Sequence, residues 1–194
     1  QAIEHNDNKL SLTEPFKGLF TQGMVCHETY KDKNNNWLSP NEIFSDDKIN
    51  FYKKNNPNEK IIVGPSESMS KSKKNTVDPE DIIKNFGADA VRLFIVSDSP
   101  PEKDIQWSDE GISACYKFIQ KLWTLHKNIM IKIKENKKIE NNDEKFNRFV
   151  TSFLNKVTNN IEKFRYNVII ANFYEMYNFL SKEINQPIKI EILK

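Results

Sequence analysis

From Ser108 onward the apolar residues of this chain recur at helical spacing, and that change of period constrains the fold more than any other feature. Ile112, Cys115, Tyr116, Ile119, Leu122, Trp123, His126, Ile129, Met130 and Ile133 keep i, i+3, i+4 intervals over many turns. Phe146, Phe149, Val150, Phe153, Leu154, Val157, Ile161 and Phe164 make a second long stripe after a loop at Asn141-Asn142. A third follows Asn167, a residue suited to cap it, with Ile170, Phe173, Tyr174, Tyr177, Leu180 and Ile184 on one face. Three amphipathic helices in series bury their stripes against one another, which predicts an antiparallel helical bundle. The chain ends soon after Gln186-Pro187, so the bundle is expected to be incomplete.

Upstream of Ser108 the signals are those of strands, turns and short helices. Residues 1–14 are a polar lead-in containing His5. Leu19 to Cys26 reads as a turn followed by a strand. Thr29-Tyr30, Asn34-Asn35-Asn36 and Trp37-Leu38 read as a hairpin with an Asn-rich turn. Ser39-Pro40-Asn41-Glu42 is turn or helix-start chemistry. Residues 46–60 are polar, with a short strand expected at Ile49-Asn50-Phe51-Tyr52. Ile61 to Gly64 is a second short strand. A helix is predicted at Pro79–Phe86, because Asp78 suits the N-cap, Pro79 the first position, and Glu80 and Asp81 the positive end of the dipole. Gly87 stops it. Another helix starts near Asp89 and runs through Ile95 until Ser99-Pro100-Pro101 breaks it. No internal repeat is visible.

The 194 residues suffice for one or two domains with a core, and 38% apolar with 29% charged residues excludes a disordered chain. No apolar run approaches a membrane span. No basic-then-apolar leader follows Gln1, so no secretory signal is expected. Cys26 and Cys115 lie far apart, which argues against a disulfide framework or a cysteine metal site and fits a reducing, cytoplasmic setting. The net charge is only +2, but residues 1–108 carry −3 and residues 109–194 carry +5. A basic C-terminal half suits a polyanion such as RNA, and a solvated Lys-rich helix surface would have the same charge.

Between the strand at 61–64 and the helix at 79–86 lies Glu67-Ser68-Met69-Ser70-Lys71-Ser72-Lys73-Lys74-Asn75. Hydroxyls alternating with lysines suit a polyphosphate: the serines and free backbone N–H groups allow close approach, and an ammonium supplies a point charge. A plain solvated loop has similar composition. The apolar Met69 inside the run, and structured segments on both sides, favour the phosphate reading.

This run resembles the K-M-S-K-S signature of class I aminoacyl-tRNA synthetases, with Ser68 in place of the first lysine. The wording around it is similar to the bacterial leucyl-tRNA synthetase family: Glu14-Pro15-Phe16, then Leu19-Phe20-Thr21-Gln22-Gly23-Met24-Val25; Lys74-Asn75; Asp78-Pro79; Gly87-Ala88-Asp89-Ala90-Val91-Arg92; Ser97 to Pro101; Asp104 and Trp107. The resemblance is dense from about residue 13 to 125 and then thins to a helical pattern. It implies α/β followed by all-α: the second half of a Rossmann-type nucleotide-binding domain leading into an antiparallel bundle. The implied divisions are a partial catalytic domain at 1–76, stem helices at 77–108, and an anticodon-binding-type bundle at 109–194.

The family's H-I-G-H motif is absent, since His27 precedes Glu28-Thr29-Tyr30, and so is its editing domain. The resemblance therefore implies a fragment of a ligase that activates leucine with ATP and transfers it to tRNA(Leu). Mg2+ would accompany the ATP, no protein-bound metal is expected, and the fragment alone is expected to be inactive. By position in the motif Lys71 is the catalytic lysine, stabilising the leaving phosphates. Met69, Ser70 and Ser72 shape the ATP site, while Gly23 and Met24 lie on the adenosine side. Lys73 and Lys74 would reach phosphate or tRNA, or remain solvated. Asp89 and Arg92 are expected to pair on their helix. His27 is expected at the surface, His126 in the bundle core, and Arg165 is a candidate for tRNA contact. Two alternatives stay open: an isoleucyl-, valyl- or methionyl-type synthetase fragment, and a non-catalytic tRNA- or RNA-binding module derived from a synthetase.

Overall fold

The computed structural model describes residues 16–47, 49–134 and 144–184. Glu14-Pro15, His5, the Asn141-Asn142 loop and Gln186-Pro187 lie outside the described residues. Within them, a strand-rich first part is followed by five helices.

Strand β1 (Val25–Lys31) is the hub. It pairs antiparallel with β2 (Trp37–Leu38) through Tyr30–Leu38 and Lys31–Trp37, forming the predicted hairpin. The Asn-rich turn is organised by Asp32, whose carboxylate accepts the N–H groups of Asn34 at 2.8 Å and Asn36 at 2.9 Å and the Asn36 amide at 3.1 Å. Asn35 takes φ +63°, a left-handed conformation that asparagine tolerates. A 3-10 turn at Pro40–Glu42 follows, closed by Glu42, whose carboxylate accepts the Ser39 N–H at 2.8 Å.

Strands β3 (Ile43–Phe44), β4 (Tyr52–Lys53) and β5 (Asn56–Lys60) form a separate antiparallel meander. The strand expected at Ile49–Tyr52 is shorter than its sequence suggests. Asp47 accepts the N–H groups of Ile49 and Asn50 at 2.9 and 2.7 Å, which turns the chain there and leaves Ile49 exposed. Strand β5 is polar and contains Pro57, so it carries no strand pattern; it is tolerated because it lies at the sheet edge.

Strand β6 runs over Ile62–Ser68, past the expected stop at Gly64. It pairs antiparallel with β1 from Cys26–Ser68 to Lys31–Ile62, and Pro65 sits where the register slips between Glu28 and Thr29. An edge strand with a bulge can spare the missing proline donor. After two short helices, strand β7 (Ile105–Gln106) returns parallel to β1 at Val25 and Cys26. This is the sole parallel pairing among the described strands, so the sheet is mainly antiparallel.

Helix α1 (Pro79–Phe86) starts as predicted, with Asp78 accepting the Glu80 N–H at 2.9 Å. Gly87, at φ +80°, turns the chain into α2 (Ala88–Ser97). Helix α3 (Asp109–Lys134) packs on α2, and one buried cluster of Ala90, Phe94, Ile105, Ile112 and Cys115 joins α2, β7 and α3. Its buried positions are Ile112, Cys115, Phe118 and Leu125. Trp123, His126 and Met130 are exposed, so His126 is not a core histidine. The phase of the stripe is set by α5 (Tyr166–Glu183), whose Tyr174 stacks on Phe118 at 3.8 Å.

Helix α4 (Glu144–Glu162) packs on α5, which also packs on α2 and α3. Phe149 stacks on Phe179 at 3.9 Å, Lys156 meets Glu175 at 3.2 Å, and Asn160 meets Asn172 at 3.4 Å, a register that runs antiparallel. The connecting turn places Phe164 at φ +54°, and α5 begins at Tyr166 with Arg165 at the cap, in place of the expected Asn167. Leu154 and Ile161 remain exposed, so only part of the α4 stripe is covered. No described helix is long and apolar enough to cross a membrane.

Asp32 and Asp47 are both held below the usual carboxylate range, chiefly by backbone N–H donors, those of Asn36 and Asn50 foremost. A lowered folded value means their stabilisation is complete above the unfolded value of about 4 and is lost as pH falls through the folded value. Asp32→Asn is expected to flatten the acid limb of the melting temperature between about pH 5 and about pH 2. Thermal melts across that range check it; an unchanged limb contradicts the assignment.

Candidate functional site

The Ser/Lys run begins as strand, with Glu67 and Ser68 ending β6, and becomes a loop at Met69. The Met69 N–H donates to the Val25 carbonyl at 3.1 Å, tying the loop to the first residue of β1. Lys71 to Lys74 form a turn, with the Lys74 N–H on the Lys71 carbonyl at 3.3 Å and Lys74 at φ +54°. The Ser70 and Ser72 hydroxyls lie 2.6 Å apart, and Ser70 Oγ also accepts the Ser72 N–H at 3.2 Å.

The loop is organised by a residue whose place in the polar run did not mark it as central. Asn75 is wholly buried, at 0% exposure. Its Oδ1 accepts the Ser70 N–H at 2.8 Å. Its Nδ2 donates to the carbonyls of Glu67 at 3.1 Å and His27 at 3.2 Å, with that of Ser68 at 3.5 Å. The orientation of the amide follows from its partners: one N–H faces its oxygen and three carbonyls face its nitrogen. The one available signal was an asparagine closing a run whose other polar side chains can all be solvated.

The three lysines differ in their surroundings. Lys73 forms an ion pair with Glu67 across the loop. Lys74 adds to the effect of the Ser39 N–H in holding the Glu42 carboxyl below its usual range. Lys71 is exposed, and its side chain has no ion-pair or hydrogen-bond partner among the described residues. Its ammonium is therefore available to an incoming anion.

The predicted residues Gly23 and Met24 reach the same end of β1. The Gly23 N–H donates to the Pro101 carbonyl at 2.8 Å, and the Met24 N–H to Asp104 Oδ1 at 2.8 Å. The Ile105 N–H donates to the Met24 carbonyl at 2.8 Å. Val25 thus has β7 on one side and Met69 on the other, which brings the Gly23-Met24 segment and the Ser/Lys loop together around one strand end. The close approach that Gly23 allows is made by the 101–104 backbone: a Cβ there would lie 2.0 Å from the Lys103 carbonyl oxygen. The Met24 side chain is 56% exposed.

The other candidate side chains make their polar contacts elsewhere. His27 Nδ1 lies 3.0 Å from the Glu28 carbonyl, and its ring meets Tyr30 edge-on. Asp89 and Arg92 pair at 3.3 Å as expected, but both are about four-fifths exposed, where such a pair contributes little. Arg165 is exposed at the α5 cap. Among the described residues no group of three or more His, Cys, Asp or Glu side chains gathers to hold a metal.

Comparison with known proteins gives a consistent picture. The family model for class I tRNA synthetases (I, L, M and V) matches residues 58–108. Leucine–tRNA ligase of Rickettsia canadensis is 42% identical over 186 residues, 96% of this chain and 22% of that protein. That of Rickettsia prowazekii is 45% identical over 184 residues, 95% of this chain and 22% of that protein. Among solved structures, the LeuRS of Agrobacterium radiobacter in ternary complex with tRNA and LeuAMS aligns with a TM-score of 0.56 at 26% identity, over 66% of this chain and 17% of that one. The resemblance read from the sequence is borne out, and the chain spans about a fifth of the length of the ligases it matches.

Gly23→Ala is expected to lower stability by about 1–3 kcal/mol, because the methyl meets backbone that has to move. A melting temperature equal to that of the unsubstituted chain would contradict it.

Proposed function

We propose that this chain, a member of the class I tRNA synthetases, is the signature-loop segment of a leucine–tRNA ligase. The observation that carries the reading is identity above 40% to such ligases along nearly the whole chain. In the whole enzyme the leucine carboxylate attacks the α-phosphorus of ATP, pyrophosphate leaves, and the leucyl group then passes to tRNA(Leu). No covalent enzyme intermediate is required, so positioning and electrostatics carry the rate.

Lys71 takes the leaving-group role: it is the catalytic residue whose ammonium meets the negative charge growing on the departing phosphates. Its freedom from internal ion pairs supports this, since a lysine committed to a carboxylate, as Lys73 is to Glu67, has less charge to offer. Ser70 and Ser72 supply hydroxyl and backbone donors around the phosphates. Met69 holds the loop, and Gly23 and Met24 lie on the adenosine side. Mg2+ belongs to the ATP it accompanies. Residues 1–76 form the later part of a Rossmann-type catalytic domain, 77–108 a stem, and 109–194 the start of an anticodon-binding bundle that receives tRNA. The enzyme is placed in the cytoplasm.

In the full-length ligase, Lys71→Ala is expected to slow leucine-dependent ATP–pyrophosphate exchange by about tenfold or more, roughly 1.4 kcal/mol of transition-state stabilisation. A rate within about twofold of the unsubstituted enzyme would overturn the assignment. The 194-residue chain by itself is expected to give no exchange above background, and measurable activity from it would overturn the segment reading.

A further inference from the structure

We propose that Asn75 is the positioning residue of the Lys71 loop: a buried carboxamide that clamps the loop to the end of the β1–β6 ribbon and holds the root of Lys71 ready for the phosphates. This inference rests on the leaving-group role given to Lys71 above.

Three observations carry it. First, Asn75 satisfies both ends of its amide with backbone, and its partners span three segments. His27 is in β1, Glu67 and Ser68 close β6, and Ser70 opens the loop. His27 and Glu67 are cross-strand partners, so one –NH2 group bridges the last rungs of the ladder. Second, the bond from Ser70 passes the constraint on. Ser70 Oγ accepts the Ser72 N–H and touches the Ser72 hydroxyl, so the residues on both sides of Lys71 are tied while the Lys71 ammonium is not. Third, Asn75 is 0% exposed and Lys71 is exposed, so the clamp lies beneath the loop and leaves the ammonium in solvent. Fixing the backbone beforehand removes that ordering cost from the step in which the lysine meets charge.

Neither aspartate nor alanine fills this place. Aspartate keeps the acceptor toward Ser70 but sets a carboxylate against three carbonyl oxygens. Alanine leaves those carbonyls and the Ser70 N–H without the partner they had, in a site closed to water.

Two measurements test the proposal. On the chain itself, trypsin cleavage after Lys71, Lys73 and Lys74 is followed for Asn75→Ala and Asn75→Asp, with a thermal melt of each. The clamp predicts cleavage at least about tenfold faster at these sites, with cleavage in α3 and α5 unchanged; acceleration within about twofold overturns it. Should the alanine variant fail to fold, the aspartate variant carries the measurement.

In the full-length ligase, exchange is measured for Lys71→Ala, Asn75→Ala and the double variant. Positioning through Lys71 predicts that Asn75→Ala lowers kcat by about tenfold while the KM for leucine stays within about twofold. It also predicts that the double variant is no slower than Lys71→Ala alone. Losses that multiply would show that Asn75 acts independently of Lys71 and would overturn the positioning role. A Lys71→Ala enzyme with unchanged exchange would overturn the leaving-group reading and Asn75's part in catalysis together, while the cleavage rates still judge the clamp.

Discussion

The hydrogen bonds of Asn75 hold together the parts of the molecule that matter for function. One side chain at the end of a nine-residue polar run reaches β1, β6 and the loop they frame. Without it, the Met69–Val25 bond, the short Ser70–Ser72 contacts, the Lys71–Lys74 turn and the Lys73–Glu67 ion pair would be the described ties on a loop otherwise rich in solvated groups. A wholly buried amide with both ends satisfied is stabilising, and the same amide half-satisfied would be costly, so the arrangement specifies one loop geometry. The lysine at the loop's crest depends on that specification.

Strand β1 extends the same logic to the rest of the first part. It carries the Asp32 hairpin at one end and, at the other, both the Ser/Lys loop and the Gly23–Asp104 crossing. The cluster of Ala90, Phe94, Ile105, Ile112 and Cys115 then couples β7 to α2 and α3. The long helices are therefore attached to the site through packed side chains.

Much of this was legible beforehand where the controlling physics is local. Helix α1 needed only its cap, its proline and its glycine, and it runs over the expected residues. The Asn-rich hairpin needed a turn that favours left-handed backbone, and Asn35 supplies it. Ambiguity arose where distant partners decide. The α3 stripe allowed Trp123 and His126 to be read as inward, but Tyr174 of α5 selects the face carrying Phe118. Strand β6 continued through Pro65 because it lies at an edge beside a bulge, neither of which a proline announces. Asp47 shortened the next strand by capturing two N–H groups, a competition that composition alone does not reveal.

The sequence by itself determined the division into a strand-rich part and a helical part, the cap and stop of α1, the Ser/Lys loop with Lys71, and the family whose wording it carries. These depend on spacing along the chain, which is complete before folding begins. Only the tertiary structure decided that Asn75 closes the loop, that Lys73 is committed to Glu67 while Lys71 is free, and that Gly23 makes room for the Lys103 backbone. Each of those joins residues that the chain order separates, and a buried hydrogen bond or a close backbone crossing exists only once folding has excluded water from between them.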